Sequence, residues 1–492
     1  MGSLPRLRDG SLFYVVLGAV VTSFYFIVIG KLSTTRVVNL VDHNGGAANF
    51  SRRNSEYEEV CREWLDLMDQ EELLNRNSSI IDESTEDVKE TKNWDNSFEM
   101  SSHLRCDIKY KDKEVIQRGH YYAIYNYVRA EKEFGCTETI TLTAPADFRF
   151  LDNVVPLVEK WMGPISIALY APGHDFYTTL RAISYLRNCG TDLIRKYVTF
   201  HIFFDQAHTP AARNGSSILT LYTDLYNDCT ALPPWAETND TDMYKFQNNL
   251  LYPINVARNI AKLGAQTYFV FPSDIELYPT KNFIPLFMKF WKENPELFTP
   301  ESRNVFVLPI FEILANETVP ENKTQLMAML ATKTAQLFHE GVCTRCHKVI
   351  ESDKWVAAPE TEGLGVFSVG KRIGPHIVWE PFYVCTQKEP LWDERMTWEG
   401  QNNKMVQAFT MCVLNYDFHV LDNAFLIHKP GVKKKKVQMV RYGQVVKESS
   451  ALLQKIAIEL QELYGYNKKC GTKYIFQRPK PKPKVPVILP KT

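Results

Sequence analysis

Two carboxylates stand one residue apart at the end of an apolar stretch. The run at 268–271 (YFVF) has the composition of a buried strand, and Asp274 and Glu276 follow it closely. A strand that ends on such a pair brings both side chains to one crevice, where Mn²⁺ or Mg²⁺ can bind through oxygen ligands. A cation held there acts as a Lewis acid on a leaving diphosphate. The same letters, Ser-Asp-x-Glu-x-x-Pro, also fit an ordinary turn, so both interpretations stay open on these residues alone.

Two other segments supply polar groups that suit such a site. The segment 252–259 (YPINVARN) predicts the start of a helix that carries Arg258 and Asn259, and an arginine can bind phosphate or carboxylate bidentately. His428 ends a short apolar run, and Mn²⁺ accepts imidazole as well as oxygen ligands. A structural role for this lone histidine is the alternative.

Acidic residues that could accept a proton lie in the segment 391–404 (LWDERMTWEGQNNK). Asp393, Glu394 and Glu399 are candidates for a general base, because a positioned carboxylate can deprotonate an attacking hydroxyl group. The Asp-Glu-Arg triplet fits an ion-paired loop equally well.

Strands and helices alternate in the middle of the chain and must position these groups. The predicted strands are 138–144, 164–172, 197–205, 267–274 and 304–313, and the predicted helices are 154–162, 175–187, 253–263 and 283–291. Apolar strands that alternate with helices indicate an α/β fold with a mainly parallel sheet covered on both faces. In such sheets ligands bind outside the carboxyl ends of the strands, where Asp205 and Asp274 fall.

Several of these motifs occur together in one order. They are PISIALYAPG, NVARN, DIELYPT, WEPFYV (379–384), DERM…NNK (393–404) and VLDNAFLIHKPG (420–431). In this order they resemble glycosyltransferase family 49, which includes β-1,4-glucuronyltransferases, over about residues 135 to 440. The resemblance implies a GT-A fold, in which helices flank a mostly parallel sheet, with a UDP-sugar donor and inversion at the anomeric carbon.

The resemblance also implies roles for individual residues. Asp274 would face the ribose and sugar of the donor and, with Glu276 and His428, would form the site for Mn²⁺ (or Mg²⁺). Arg258 and Asn259 would lie near the donor. Family members read Asp-x-Asp where this chain has Glu276, whose side chain is one methylene longer. This departure puts the donor sugar, the metal preference or the activity in question.

The substrates implied by the resemblance are UDP-glucuronate and a xylose-terminated O-mannosyl glycan of a glycoprotein, joined by a β-1,4 linkage. A glucuronate carboxylate needs a facing cation, for which Arg258, Arg395 and Lys404 are the candidates. The alternatives are a related transferase that uses UDP-N-acetylglucosamine or another UDP-sugar, and an inactive relative that binds glycans or scaffolds other glycosyltransferases.

The whole chain indicates where the protein works. Lys+Arg and Asp+Glu balance at 57 each, which argues against a nucleic-acid-binding protein. Residues 11–30 contain no charge and are long enough to cross a bilayer as a helix. A cleaved signal peptide is the alternative, but its apolar core is usually only about 7–15 residues long. The sequence therefore predicts an uncleaved signal anchor, as in Golgi members of the family.

Glycosylation sequons and cysteines favour a lumenal location for the rest of the chain. The sequons begin at Asn49, Asn77, Asn214, Asn239, Asn316 and Asn322. The ten cysteines suit disulfides in an oxidising compartment. The segment 343–347 (CTRCH) has the spacing of a haem attachment motif, but it stands alone, so we expect disulfide use of its cysteines.

These observations predict a single-pass type II membrane protein of the Golgi. The expected segments are a cytosolic tail (1–10), a transmembrane signal anchor (11–30), a stem (31–105), a lumenal GT-A catalytic domain (106–470) and a Pro/Lys-rich tail (471–492).

Overall fold

The computed structural model describes residues 110–212, 215–222, 228–341, 343, 345–397, 403–432 and 442–471. The predicted anchor, the whole of the predicted stem and the catalytic candidate Glu399 lie outside these residues. Within the described part of the chain, no helix combines the length and apolar character needed to cross a membrane.

The described residues form fourteen strands and eleven α-helices. The strands are β1 (Glu114–Arg118), β2 (Tyr121–Val128), β3 (Ile140–Ala146), β4 (Ile165–Tyr170), β5 (Val198–Asp205), β6 (Phe269–Pro272), β7 (Leu277–Pro279), β8 (Asn304–Leu308), β9 (Ile310–Ile313), β10 (Ala335–Leu337), β11 (Val366–Gly370), β12 (Phe382–Thr386), β13 (Asp417–Leu421) and β14 (Leu426–His428). The helices are α1 (Val154–Trp161), α2 (Asp175–Cys189), α3 (Asp192–Tyr197), α4 (Pro234–Glu237), α5 (Tyr244–Gln247), α6 (Ile254–Gly264), α7 (Phe283–Glu293), α8 (Lys323–Ala331), α9 (Ser352–Ala357), α10 (Asn403–Val413) and α11 (Tyr442–Tyr464).

A ten-stranded sheet forms the centre of the fold, in the order β1-β2-β5-β4-β3-β6-β12-β8-β13-β11. Strands β5, β4, β3 and β6 are mutually parallel, whereas β12 pairs antiparallel with both β6 and β8. The predicted α/β architecture is confirmed, but the sheet is mixed rather than mainly parallel, because β13 is also parallel to β8 while the other five of its nine strand pairings are antiparallel. Because β12 runs against β6, the residues just before β12 lie at the carboxyl end of β6, beside Asp274.

The predicted strand 304–313 is two strands in two different sheets. Strand β8 ends before Pro309, and β9 continues in a second sheet of order β10-β9-β14-β7. Proline lacks the N–H that a central strand needs, so it marks the point where the chain leaves one sheet for the other. In the second sheet β14 pairs with β7, and His428 lies opposite Leu277. This pairing brings the His428 strand beside the Asp274–Glu276 segment.

Three disulfides occur among the described residues, namely Cys189–Cys229, Cys343–Cys346 and Cys412–Cys470. The expected disulfide use of the CTRCH cysteines is confirmed, and they pair with each other. Cys385 in β12 is a buried free thiol.

A buried histidine in β5 makes the stability of the fold dependent on pH. The Nδ1 atom of His201 accepts a hydrogen bond from the Asn126 N–H at 2.8 Å, and its Nε2 lies 2.9 Å from the Ser166 hydroxyl oxygen. Burial lowers the pKa of His201 from 6.5 to about 3. Below pH 6.5 the unfolded chain therefore binds a proton that the folded chain rejects, so the stability present above pH 6.5 is lost as the pH falls.

We therefore expect the free energy of unfolding to decrease by up to about 1.4 kcal/mol per pH unit on account of His201 between pH 6 and pH 4. Urea unfolding across this range measures the slope. A His201→Gln variant does not titrate at this position and should show a slope smaller by that amount. Equal slopes for parent and variant would contradict the assignment.

Candidate active site

Helix α6 presents three polar side chains on one face toward the carboxyl end of β6. Asn255, Arg258 and Asn259 are spaced three and four residues apart, so they share a helix face. All three are buried. A buried polar face needs hydrogen-bond partners, and these come from the Asp274 loop and from the segment before α10.

Asp274 is held between two cations. Its Oδ1 accepts a hydrogen bond from Arg258 Nη2 at 3.0 Å, and its Oδ2 accepts one from Lys404 Nζ at 2.6 Å. Burial alone would raise the pKa of Asp274, but the charges and hydrogen bonds of Lys404 and Arg258 hold it well below its usual range. About one third of the Asp274 side chain remains exposed, so the carboxylate is still accessible to solvent.

Arg258 is also fixed from its other side. Its Nη1 donates to Asn255 Oδ1 at 3.0 Å and to Asn403 Oδ1 at 2.8 Å. Asn255 Nδ2 in turn donates to the backbone carbonyls of Asp393 and Asn403. The network thus joins α6 to the start of α10 and orients the guanidinium group toward Asp274.

A cavity that is open to solvent adjoins this network. It lies between the end of β6, the start of β12 and the first turns of α10, and its wall includes Arg258, Asp274, Phe382 and Lys404. The Lys404 ammonium group lies 4.0 Å from the centre of the Phe382 ring. Phe382 therefore stabilises the Lys404 ammonium group by a cation–π contact and helps to fix its position in the cavity wall.

Glu276 and His428 face each other. Glu276 Oε2 lies 3.6 Å from His428 Nε2, and the His428 Nδ1 lies 2.8 Å from the carbonyl oxygen of Lys429. A carbonyl accepts but cannot donate, so Nδ1 carries the hydrogen and a neutral imidazole turns the lone pair of Nε2 toward the carboxylate. This Nε2 is buried and has no hydrogen-bond partner in the described part of the chain. A metal ion placed between these two groups would bind to both of them.

The donor set fits a divalent cation of the Mn²⁺ type. One carboxylate oxygen and one imidazole nitrogen are ligands that Mn²⁺ accepts, and the Lys429 carbonyl supplies the outer contact that fixes a ligating histidine. No group of three or more His, Cys, Asp and Glu side chains is gathered as a metal site among the described residues. The remaining ligands would come from diphosphate oxygens and water, as is usual for catalytic Mg²⁺ and similar ions.

The structure distributes the three predicted metal ligands over two adjacent sites. Glu276 and His428 face each other, whereas both oxygens of Asp274 are used by Arg258 and Lys404. Metal binding at any of these residues stays a prediction, and so does the contact of Arg258 with a donor. The place of Asn259 near a donor stays a prediction as well. Its amide nitrogen donates to the Trp392 carbonyl and to Glu394, each at 2.8 Å, and its amide oxygen accepts from the Trp392 N–H.

The predicted general bases that the structure describes are already paired. Asp393 accepts hydrogen bonds from the Nε and Nη2 atoms of Arg395, and Glu394 is bonded to Arg118 and Asn259. The alternative interpretation of this triplet, an ion-paired loop, describes its geometry. Arg395 also forms an ion pair with Glu459 at the surface. It is therefore not one of the cations that contact Asp274.

Sequence reasoning missed two groups beside the site. His347 follows the Cys343–Cys346 disulfide and packs between Phe338 and Phe382, and burial lowers its pKa to about 3. Glu380 directly precedes the cavity-lining residues of β12 and lies within electrostatic reach of Asp274. A disulfide and a strand pairing place these two residues beside the site, and neither of these contacts produces a recognisable spacing of residues in the sequence.

Three of the predicted glycosylation asparagines are described. Asn239 and Asn316 are exposed, and Asn322 is half-buried with its Oδ1 accepting from the Gln325 N–H at the start of α8. Asn49, Asn77 and Asn214 lie outside the described residues.

Comparison with known proteins identifies the family. The model of the family described as "Glycosyl-transferase for dystroglycan" matches residues 139–465, about two thirds of the chain, and includes every residue of the site. The chain belongs to this glycosyltransferase family. The family resemblance inferred from the motifs is therefore confirmed, and the fold described above, a large sheet flanked by helices, is consistent with GT-A.

Relatives of known function cover different shares of the chain. Beta-1,4-glucuronyltransferase 1 of Danio rerio is 29% identical over 287 residues, which are 57% of this chain and 63% of that protein. The Homo sapiens protein of the same name is 28% identical over 59% of this chain and 68% of its own length. Xylosyl- and glucuronyltransferase LARGE1 of Homo sapiens is 24% identical over 65% of this chain but only 34% of its own length.

Proposed function

We propose that the chain transfers a sugar, glucuronate in the first instance, from a UDP-sugar to a hydroxyl group of a glycoprotein glycan, with inversion and with Mn²⁺ or Mg²⁺ bound. The glucuronyltransferase names of the relatives support the donor. A β-1,4 linkage to a xylose-terminated O-mannosyl glycan is the finer proposal, and it comes from the family resemblance.

The facing pair of Glu276 and His428 is the observation that carries the proposal. The pair presents a carboxylate and an imidazole lone pair to the same small space, next in sequence to the Asp274 cluster. A divalent cation bound there would supply positive charge to the departing diphosphate. His428 ends β14 and Glu276 directly precedes β7, so the pairing of these two strands positions both side chains, as a preorganised site requires.

The cations beside Asp274 suit the glucuronate carboxylate. Lys404 and Arg258 converge on one carboxylate already, and both line the adjoining cavity. Lys404 and Arg258 attract carboxylates, and the acidic side chains of Asp274 and Glu380 lie near them. Lys404 is the better contact, since Arg258 is committed to Asn255 and Asn403 as well.

We also propose that the protein is a Golgi type II membrane protein with its catalytic part in the lumen, where glycoprotein acceptors and other glycosyltransferases would be its partners. The uncharged span at 11–30 and the disulfides of the folded part support this location.

A donor panel tests the proposed function. The lumenal part, residues 31–492, is assayed for UDP release with UDP-glucuronate, UDP-N-acetylglucosamine, UDP-xylose and UDP-glucose, with a β-xyloside acceptor and with either Mn²⁺ or EDTA. We expect acceptor-dependent turnover with UDP-glucuronate that EDTA abolishes. Turnover with another donor only would assign the alternative transferase, and glycan binding without turnover of any donor would assign the scaffold.

A further inference from the structure

The neighbourhood of Asp274 contains one carboxylate that the fold leaves unused. Glu380 is half-buried, and neither an ion pair within 4 Å nor a hydrogen bond to its carboxylate occurs among the described residues. By contrast, Asp393 and Glu394 are neutralised by Arg395 and Arg118. A partly buried carboxylate without a partner is costly for the fold, so such a group at a functional site calls for an explanation.

The backbone of Glu380 is held in place although its side chain is not. Its N–H donates to the carbonyl of Cys346 at 2.8 Å, and its own carbonyl lies 3.3 Å from His347 Nδ1. Cys346 is joined to Cys343 by a disulfide, and His347 is packed against Phe382. The disulfide loop thus fixes the position from which the carboxylate extends.

Glu380 directly precedes the wall of the cavity beside Asp274 and lies within electrostatic reach of Lys404, Arg258 and Asp274 in that wall. Pro381 and Phe382, which follow Glu380, line that cavity together with Arg258, Asp274 and Lys404. Because β12 is antiparallel to β6, the residues before β12 share the edge of the sheet at which Asp274 emerges. Ligands of open α/β sheets bind at this edge.

The charged groups around Glu380 come from every neighbouring element. They are Lys404 of α10, Arg258 of α6, Asp274 after β6, and Arg372 in the loop after β11. Burial raises the pKa of Glu380 above its usual value in spite of the three cations. A carboxylate with a raised pKa is a stronger proton acceptor near neutral pH than an exposed one.

We propose that Glu380 is the general base that deprotonates the acceptor hydroxyl group. The acceptor oxygen forms a bond to the anomeric carbon while the bond from that carbon to the diphosphate oxygen breaks. The diphosphate leaves with the electron pair, and the hydroxyl proton passes to a carboxylate oxygen of Glu380 and from there to solvent. The proposal rests on the proposed transferase function but not on the identity of the donor sugar.

Glu380→Gln tests this assignment in the lumenal part, with Glu362→Gln at an exposed position as the matched control. We expect glycan-dependent turnover to fall about 100-fold in Glu380→Gln, which is within the usual contribution of a general base, and to stay unchanged in Glu362→Gln. Binding of UDP with Mn²⁺, measured by calorimetry, should stay within threefold, roughly, of the parent value, because the base does not hold the nucleotide.

Azide distinguishes a base from a merely structural residue. As an anion it has no proton to lose, so it can attack the anomeric carbon without a base and release UDP with formation of a glycosyl azide. We expect azide to restore UDP release in a Glu380→Ala variant, and Glu380→Asp, which keeps a carboxylate, to exceed Glu380→Gln in turnover at least about tenfold.

Three results would overturn the proposal. They are full turnover of a folded Glu380→Gln variant, loss of UDP binding in that variant, and azide rescue in Asp393→Asn or Glu394→Gln instead. If Glu380→Gln does not fold, Glu380→Asp is compared with the parent, with and without azide. A larger relative gain in UDP release from azide in Glu380→Asp supports the base, and an equal gain in both overturns it. If the parent chain turns over no donor, the proposed function fails, and this result differs from a parent that is active alongside an equally active Glu380→Gln variant.

Discussion

Replacement of His428 by alanine is expected to reduce Mn²⁺-dependent turnover by about 1000-fold, and Glu276→Ala should act similarly. Loss of one group that stabilises the charge of a transition state costs about 100- to 1000-fold, and here the cation itself loses one of its two protein ligands. His428 is nearly buried and Glu276 is one-quarter exposed. Steady-state UDP release measures the effect.

The response to added metal separates ligation from packing. If the residues bind the cation, raising the Mn²⁺ concentration should partly restore turnover in Glu276→Ala and His428→Ala. His120→Ala at an exposed position serves as the control and should behave as the parent. Glu276→Asp, which restores the carboxylate length that family members have, should keep turnover within about tenfold of the parent. Loss of turnover that added Mn²⁺ cannot change, together with a lowered Tm, would assign a structural role instead.

Replacement of Lys404 by methionine is expected to reduce kcat/KM for UDP-glucuronate by about 100-fold. A hydrogen bond to a charged group contributes about 1.5–3 kcal/mol, and each 1.4 kcal/mol corresponds to a factor of ten. Asp274 keeps its hydrogen bond from Arg258 in this variant, so the site should stay assembled. The Met side chain can still lie over Phe382, because it is apolar and flexible.

UDP-glucose is the matched donor for this variant, because it carries a hydroxymethyl group where UDP-glucuronate carries the carboxylate. We expect Lys404→Met to lower the preference for UDP-glucuronate over UDP-glucose, Lys404→Arg to retain most of it, and Lys292→Met at an exposed position to leave it unchanged. An equal loss with both donors would show that Lys404 does not recognise the carboxylate of the sugar.

The sequence predicted the helices and strands of the site better than it predicted the contacts between them. The helix at 253–263 and the strand that leads to Asp274 followed from local patterns, and the structure has both, as α6 and β6. The contact of Glu276 with His428 joins residues far apart in sequence, and only the order of the family motifs indicated it. The pairing of Lys404 with Asp274 had no such signal, because nothing in the spacing of a lysine shows which carboxylate it will meet.

One further feature could have been predicted from a single residue, and another could not. Pro309 inside the apolar run 304–313 was a signal that one strand could not continue, and the strand break is what builds the second sheet. The WEPFYV motif contained Glu380 as well as Phe382, but a carboxylate before a strand has no distinct pattern. Its importance depends on the antiparallel entry of β12 beside β6, a long-range pairing that composition does not encode.

The coordination of Mn²⁺ in the presence of UDP tests the central claim most directly. Pulsed electron paramagnetic resonance of the lumenal part, loaded with Mn²⁺ and UDP, detects a directly bonded imidazole nitrogen by its hyperfine coupling. We predict that the parent shows this coupling and that His428→Ala lacks it while still binding UDP. A Mn²⁺ signal without nitrogen coupling in an active parent enzyme would contradict a cation site at Glu276 and His428.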